Sequence, residues 1–128
     1  MTQEDYVSYK TAQLLKEKGF IANIHEMYDH DGKFCEATFT NVEPYYSCYA
    51  PTLQMVRKWL REKHHLHIEV RITNHSISSM VNVIKYYWVM CDTETGRWCD
   101  ESTVYTVRTF DKSEEAEEDA IRHALEKI

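Results

Sequence analysis

The stretch from Ala50 to Val70 constrains the fold most, because it writes a helix and then a strand with almost no punctuation between them. Pro51 suits the first turn of the helix, where its missing N–H costs nothing. Leu53, Val56 and Leu60, with Met55 and Trp59 alongside, make the expected buried side. Gln54, Arg57, Lys58, Arg61 and Glu62 recur at helical spacing as a polar stripe. From Leu66 the period becomes two: Leu66, Ile68, Val70 and Ile72 point one way, and His67, Glu69, Arg71 and Thr73 the other. This predicts a helix packed by one face, presenting a mostly cationic other face, and running into a half-buried strand.

The flanking sequence extends the pattern in both directions. A helix is expected over residues 3–18, with Thr2 as N-cap, Val7, Leu14 and Leu15 buried with help from Tyr6 and Thr11, and Gly19 closing it. Two short strands follow, at 22–29 and 33–40, joined through Asp31-Gly32, a pair that supplies the positive φ of a tight hairpin. Asn41 to Ala50 reads as a loop, because Pro44 would interrupt a ladder and Tyr45, Tyr46 and Tyr49 fit neither period. After a turn at Asn74-His75-Ser76, residues 80–91 are apolar on both parities and predict a central strand. Thr93 to Gly96 turns the chain into a last strand at 101–109. Asp111 or Ser113 then caps a final helix whose apolar side is Ala120, Ile121, Ala124, Leu125 and Ile128.

The resulting order is αββαβββα, an α+β fold with a mainly antiparallel sheet of about five strands and helices packed on one face. At 128 residues the chain has the length of one domain, 1–128. No apolar run approaches the ~18 residues of a membrane span, and the acidic start Thr2-Gln3-Glu4-Asp5 is unlike a signal peptide. A cytoplasmic protein without a membrane partner is expected. Its four cysteines, Cys35, Cys48, Cys91 and Cys99, would then stay reduced, and their spacing matches no usual zinc pattern. Cys91 and Cys99 flank a turn, so a pairing across that hairpin stays open.

The net charge of −6 disfavours bulk affinity for nucleic acid, but the charge is unevenly spread. Residues 51–71 hold five cations (Arg57, Lys58, Arg61, Lys63, Arg71) against Glu62 and Glu69, an excess of three positive charges. Residues 111–128 hold seven acids against Lys112, Arg122 and Lys127, an excess of four negative charges. Arg57, Lys58 and Arg61, with Tyr45, Tyr46 and Tyr49 upstream, could grip a partner or form a small stacking platform for single-stranded nucleic acid. The plainer alternative is a solvated face, or one neutralised by the acidic last helix.

The remaining clusters read as structural. His65 and His67 form HxH, yet a helix C-terminus favours imidazolium without any metal. Tyr86-Tyr87-Trp88, Trp98 and Tyr105 read as core and cross-strand packing. The chain has no GxSxG, P-loop, GxGxxG or HExxH motif, and a spatial pair such as Cys48 with a distant histidine is the one nucleophilic arrangement left open. No cofactor or metal is expected.

The segments Tyr6 to Phe20 and Ala50 to Lys63, and Glu114-Glu115-Ala116 with Ala124-Leu125, resemble a family of small uncharacterised proteins of gut Bacteroidales and their phages or mobile elements. The resemblance covers roughly half the chain, including all three expected helices. It implies a phage or prophage origin and brings no activity, ligand or catalytic residue. The sequence therefore reads as a non-enzymatic accessory or interaction protein that binds a macromolecule, a protein ahead of a nucleic acid; the alternative is a small nucleic-acid-binding module.

Overall fold

A computed structural model describes residues 5–22, 24–36, 46–78, 81–102 and 108–128, side chains excepted at 46, 75–78 and 81–83. Its elements run α1 (Tyr9–Glu17), β1 (Glu26–Asp29), β2 (Phe34–Glu36), β3 (Tyr46–Tyr49), α2 (Leu53–His64), β4 (Leu66–Ser78), β5 (Val81–Asp92), β6 (Arg97–Glu101) and α3 (Ser113–Lys127). The fold is α+β with antiparallel pairing, as expected. The strands, however, form two three-stranded sheets, β2-β1-β3 and β4-β5-β6, in place of one sheet of five.

The extra strand is β3, which lies where a loop was expected. Its pairing with β1, Tyr28 opposite Cys48 and Met27 opposite Tyr49, places β1 between two neighbours and buries Cys48. The first hairpin forms around the predicted turn, with strands shorter than the expected 22–29 and 33–40; residues 23 and 37–40 lie outside the described part. Gly32 adopts φ +81°, and Asp29 Oδ1 accepts the amides of Asp31 and Lys33 at 2.9 Å each. Those amides, with the charges of Lys33 and His30, outweigh desolvation and hold the Asp29 carboxyl below its usual range, the Lys33 amide contributing most. A Cβ on Gly32 would come within 2.8 Å of the Tyr9 ring, so this turn fits against α1 only with glycine.

α1 begins at Tyr9, well after the expected residue 3. Ser8 is its N-cap, and Tyr6 instead bridges to Thr52 in an antiparallel pair. Its end is a Schellman motif. Gly19 (φ +85°) donates to the carbonyl of Lys16, and Phe20 to that of Leu15. In α2 the cap is Thr52, whose Oγ1 accepts from the Met55 amide at 3.2 Å, so Pro51 stands before the helix instead of in its first turn. Leu53, Val56 and Leu60 are buried as predicted, whereas Met55 is 37% exposed. The helix ends on His65 in the left-handed region, and the His65 carbonyl accepts from Thr93 N at 2.8 Å, fixing the α2–β4 junction to the next turn.

β4 and β5 pair continuously from Leu66 opposite Asp92 to Ser76 opposite Asn82, and after a register shift Ser78 stands opposite Val81, so the expected turn at residues 74–76 is strand. β5 is the central strand, as its two-sided apolar pattern required. Leu66, Ile68, Trp88 and Met90 join the core with α2 and α3. The stripe then leaves the core. Val70 is only partly buried and Ile72 is 63% exposed, because the hairpin outruns the helices above it.

β6 starts at Arg97, earlier than the strand expected at 101–109, and residues 103–107 lie outside the described part. Phe110 pairs with Tyr86 in an isolated antiparallel bridge, exchanging two 2.8 Å backbone hydrogen bonds with it. α3 follows with Lys112 at the N-cap and no side-chain cap; neither Asp111 nor Ser113 fills that role, and Asp111 pairs with Lys85. Ala116, Ala120, Ile121, Ala124 and Leu125 are fully buried, and α3 packs on β4, β5, α1 and α2.

Candidate functional site

The polar stripe of α2 divides once its neighbours are present. Arg57 is committed within the fold: Nη2 donates to the Ile68 carbonyl at 2.6 Å and Nη1 lies 3.3 Å from Glu117 Oε1 of α3. The acidic helix thus neutralises the innermost cation. Lys58 and Arg61 are exposed and have no ion pair or side-chain hydrogen bond among the described residues. With Gln54, Met55 and Arg57 they line an open depression of about 450 Å³.

The tyrosines do not complete this surface. Tyr45 lies outside the described residues, and Tyr46 is placed by its backbone in β3. Tyr49, half-buried, lines a separate pocket of about 300 Å³ with Leu15, Lys16, Phe20, Ile21 and Cys48, formed where α1 packs on β3. No residue is shared between that pocket and the depression on α2. Tyr49 and the cations of α2 therefore belong to different surfaces.

The other clusters take definite places. His65 lies 3.2 Å from Glu94, and the His64 ring packs edge-on against Trp59 at 4.7 Å. Among the described residues no group of three or more His, Cys, Asp or Glu is arranged to hold a metal ion. All four cysteines are free. Cys91 pairs with Trp98 in the ladder, and an irregularity between Met90 and Cys91 leaves Cys99 without a ladder partner, so the two thiols do not face each other. Burial pushes the Cys48 thiol up, against weaker opposing pulls from Ser47 and Lys16, which keeps it from being a ready thiolate nucleophile. Among the described residues no helix is long and apolar enough to cross a membrane.

Trp98 departs from the expected core role. It is 53% exposed on the outer face of the second sheet, with the Arg71 guanidinium 4.9 Å from its ring centroid. Arg71 Nε also lies 2.8 Å from Glu69 Oε1, and that bond, against some desolvation, holds the Glu69 carboxyl below its usual range. Val89, between Tyr87 and Cys91 in register on this face, is buried.

Sequence reasoning missed the polar groups of α3. Asp119, one of seven acids in that segment, is 8% exposed, and its Oδ2 accepts the Trp88 indole N–H at 2.8 Å. Glu118 Oε1 accepts from the Ser8 amide at 2.8 Å, Ser8 Oγ at 2.6 Å and Thr11 Oγ1 at 2.5 Å, so α3 caps α1. Asp100 pairs with His123 and lies 3.5 Å from Lys127 Nζ. Partial burial alone would raise the Asp100 carboxyl. The His123 hydrogen bond, the Glu101 amide and the charges of His123 and Lys127 outweigh it and hold the group below its usual range. The available signal was positional: Asp119 falls on the same helical face as Ala116 and Ala120, among residues that are otherwise apolar. No known protein family, curated protein or solved structure matches this chain.

Proposed function

We propose that the protein is a non-enzymatic interaction module, an accessory protein of the phage or prophage type, that docks an acidic protein surface on the outward face of α2. One observation carries this reading: Lys58 and Arg61 line one open depression with the exposed Met55 and have no internal counter-charge among the described residues, while Arg57 at its edge is already paired. Exposed cations steer an anionic partner, and an adaptable thioether gives it apolar contact. The separation of Tyr49 from these cations favours a protein over a base-stacking single strand, since stacking supplies much of single-strand affinity.

Retention on immobilised polyglutamate and on immobilised single-stranded DNA at low salt tests the reading, with wild type compared to a Lys58→Glu/Arg61→Glu variant. Retention on polyglutamate that the variant loses is the expected result. Retention on DNA alone transfers the surface to the nucleic-acid reading. No retention on either, or retention indifferent to both substitutions, removes this face as a binding site.

A further inference from the structure

The densest knot of charge lies on α3 beside β6 and the segment leading to Phe110, away from the α2 surface. Asp119 is buried at its base, with Oδ2 taken by the Trp88 indole. Its other oxygen, Oδ1, lies 3.5 Å from Arg108 Nη1 and 3.9 Å from Arg122 Nη2. The His123 ring packs on Trp88 at 5.0 Å between centroids, and its Nε2 is engaged by Asp100. Arg108, Asp119, Arg122, His123 and Glu126 together line a cavity of about 220 Å³.

The donors in this knot exceed the acceptors. Two guanidiniums bring five N–H donors each, and the carboxylate they share has one oxygen already occupied. Arg122 Nε is buried with no hydrogen-bond partner, an arrangement that native proteins rarely leave without a water or ion to answer it. A trigonal or tetrahedral oxyanion supplies what is missing: several acceptor oxygens and negative charge, presented to planar forks that bind phosphate in parallel pairs.

We propose that Arg108 and Arg122, with His123 lining the cavity beside them, form a binding site for a single phosphate group, either inorganic phosphate or a small phosphate monoester. The size of the cavity sets the class, since drug-sized ligands occupy roughly 300–1,000 Å³ and this space is smaller. Glu126, exposed on the rim one helical turn from Arg122, opposes the anion and keeps its binding weak.

The test follows the Trp88 indole N–H and the arginine side-chain signals by NMR during titration with inorganic phosphate, phenyl phosphate and acetate, each against sodium chloride at equal ionic strength. Saturable shifts with a phosphate species and not with acetate or chloride are expected. Arg108→Ala, at a side chain 60% exposed and therefore tolerant of truncation, should weaken binding about tenfold, and Glu126→Gln should tighten it. Response to phenyl phosphate as well as phosphate identifies a monoester as an acceptable source, and response to phosphate alone identifies the free ion. Shifts that fail to saturate, that acetate or chloride reproduces, or that survive Arg108→Ala unchanged overturn the proposal. Arg122→Lys, which keeps the charge and loses the fork, gives an independent check if its spectrum remains folded.

Discussion

The Trp88 indole N–H donates to Asp119 Oδ2 across 2.8 Å, with both residues almost wholly out of water. This bond ties the central strand of the second sheet to α3 at a point where neither group has solvent to fall back on. Asp119→Ala leaves the indole donor unpaired and two guanidiniums without their shared carboxylate. A loss of about 3 kcal/mol is expected in urea unfolding. In a cycle with Trp88→Phe the double variant should lose less than the sum of the two single losses, because the orphaned donor is then gone.

Glu118→Ala should cost about 1–2 kcal/mol, the scale of a lost helix cap. The damage belongs to α1, although the substitution is in α3, since Ser8 and Thr11 lose their acceptor. Hydrogen exchange checks this. Faster exchange confined to the first turn of α1 is expected, and Glu118→Gln, which keeps an acceptor oxygen, should show less of it.

Asp100 gives a stability that depends on acid. Its carboxyl is held below the unfolded value of about 3.9, so its contribution is complete above that pH. The contribution is lost as pH falls through the lower, folded value. Asp100→Asn should therefore lower stability at neutral pH and flatten its decline below about pH 4, read as unfolding midpoints across an acid series.

Arg57→Ala should destabilise by about 1 kcal/mol, because the Ile68 carbonyl and Glu117 both lose their partner. Lys58→Ala and Arg61→Ala should each stay within about 0.5 kcal/mol of wild type. Equal losses at all three positions would mean that Lys58 and Arg61 are held by the fold, and the proposed α2 surface would lose its basis.

His65→Gly should raise stability by about 0.5 kcal/mol, since glycine adopts the left-handed conformation at φ +57° without a Cβ penalty. The exposed pair with Glu94 that it removes is worth little. A midpoint below wild type in thermal unfolding would show that the His65 side chain contributes more than its backbone costs.

The parts legible in the sequence were those decided locally. The change of period at Leu66 placed the α2–β4 junction, and Asp31-Gly32 placed the first hairpin. The parts that were not legible depend on distant partners. The expected cap Thr2 lies outside the described residues, and α1 is capped instead by Ser8, which Glu118 reaches from the far end of the sequence. Tyr46–Tyr49 has no periodicity of its own and becomes a strand because β1 offers an edge. Asn74-His75-Ser76 has turn composition, yet the continuous ladder of β4 with β5 overrides it. For the candidate surfaces, charge pattern found Lys58 and Arg61, whereas Asp119 looked like one more solvated acid until Trp88 was placed against it.

The two sheets share no strand, and among the described residues no backbone hydrogen bond joins one to the other. What couples them is helix packing and side chains such as Glu118, with α3 touching both α1 and the second sheet. Each sheet thus keeps its own ladder, and helices span the gap: α2 carries the chain from β3 to β4, while α3 packs on α1 and on the second sheet. The union of the two sheets therefore rests on side-chain packing, and a substitution that loosens α3 should weaken their association before it frays a ladder in either.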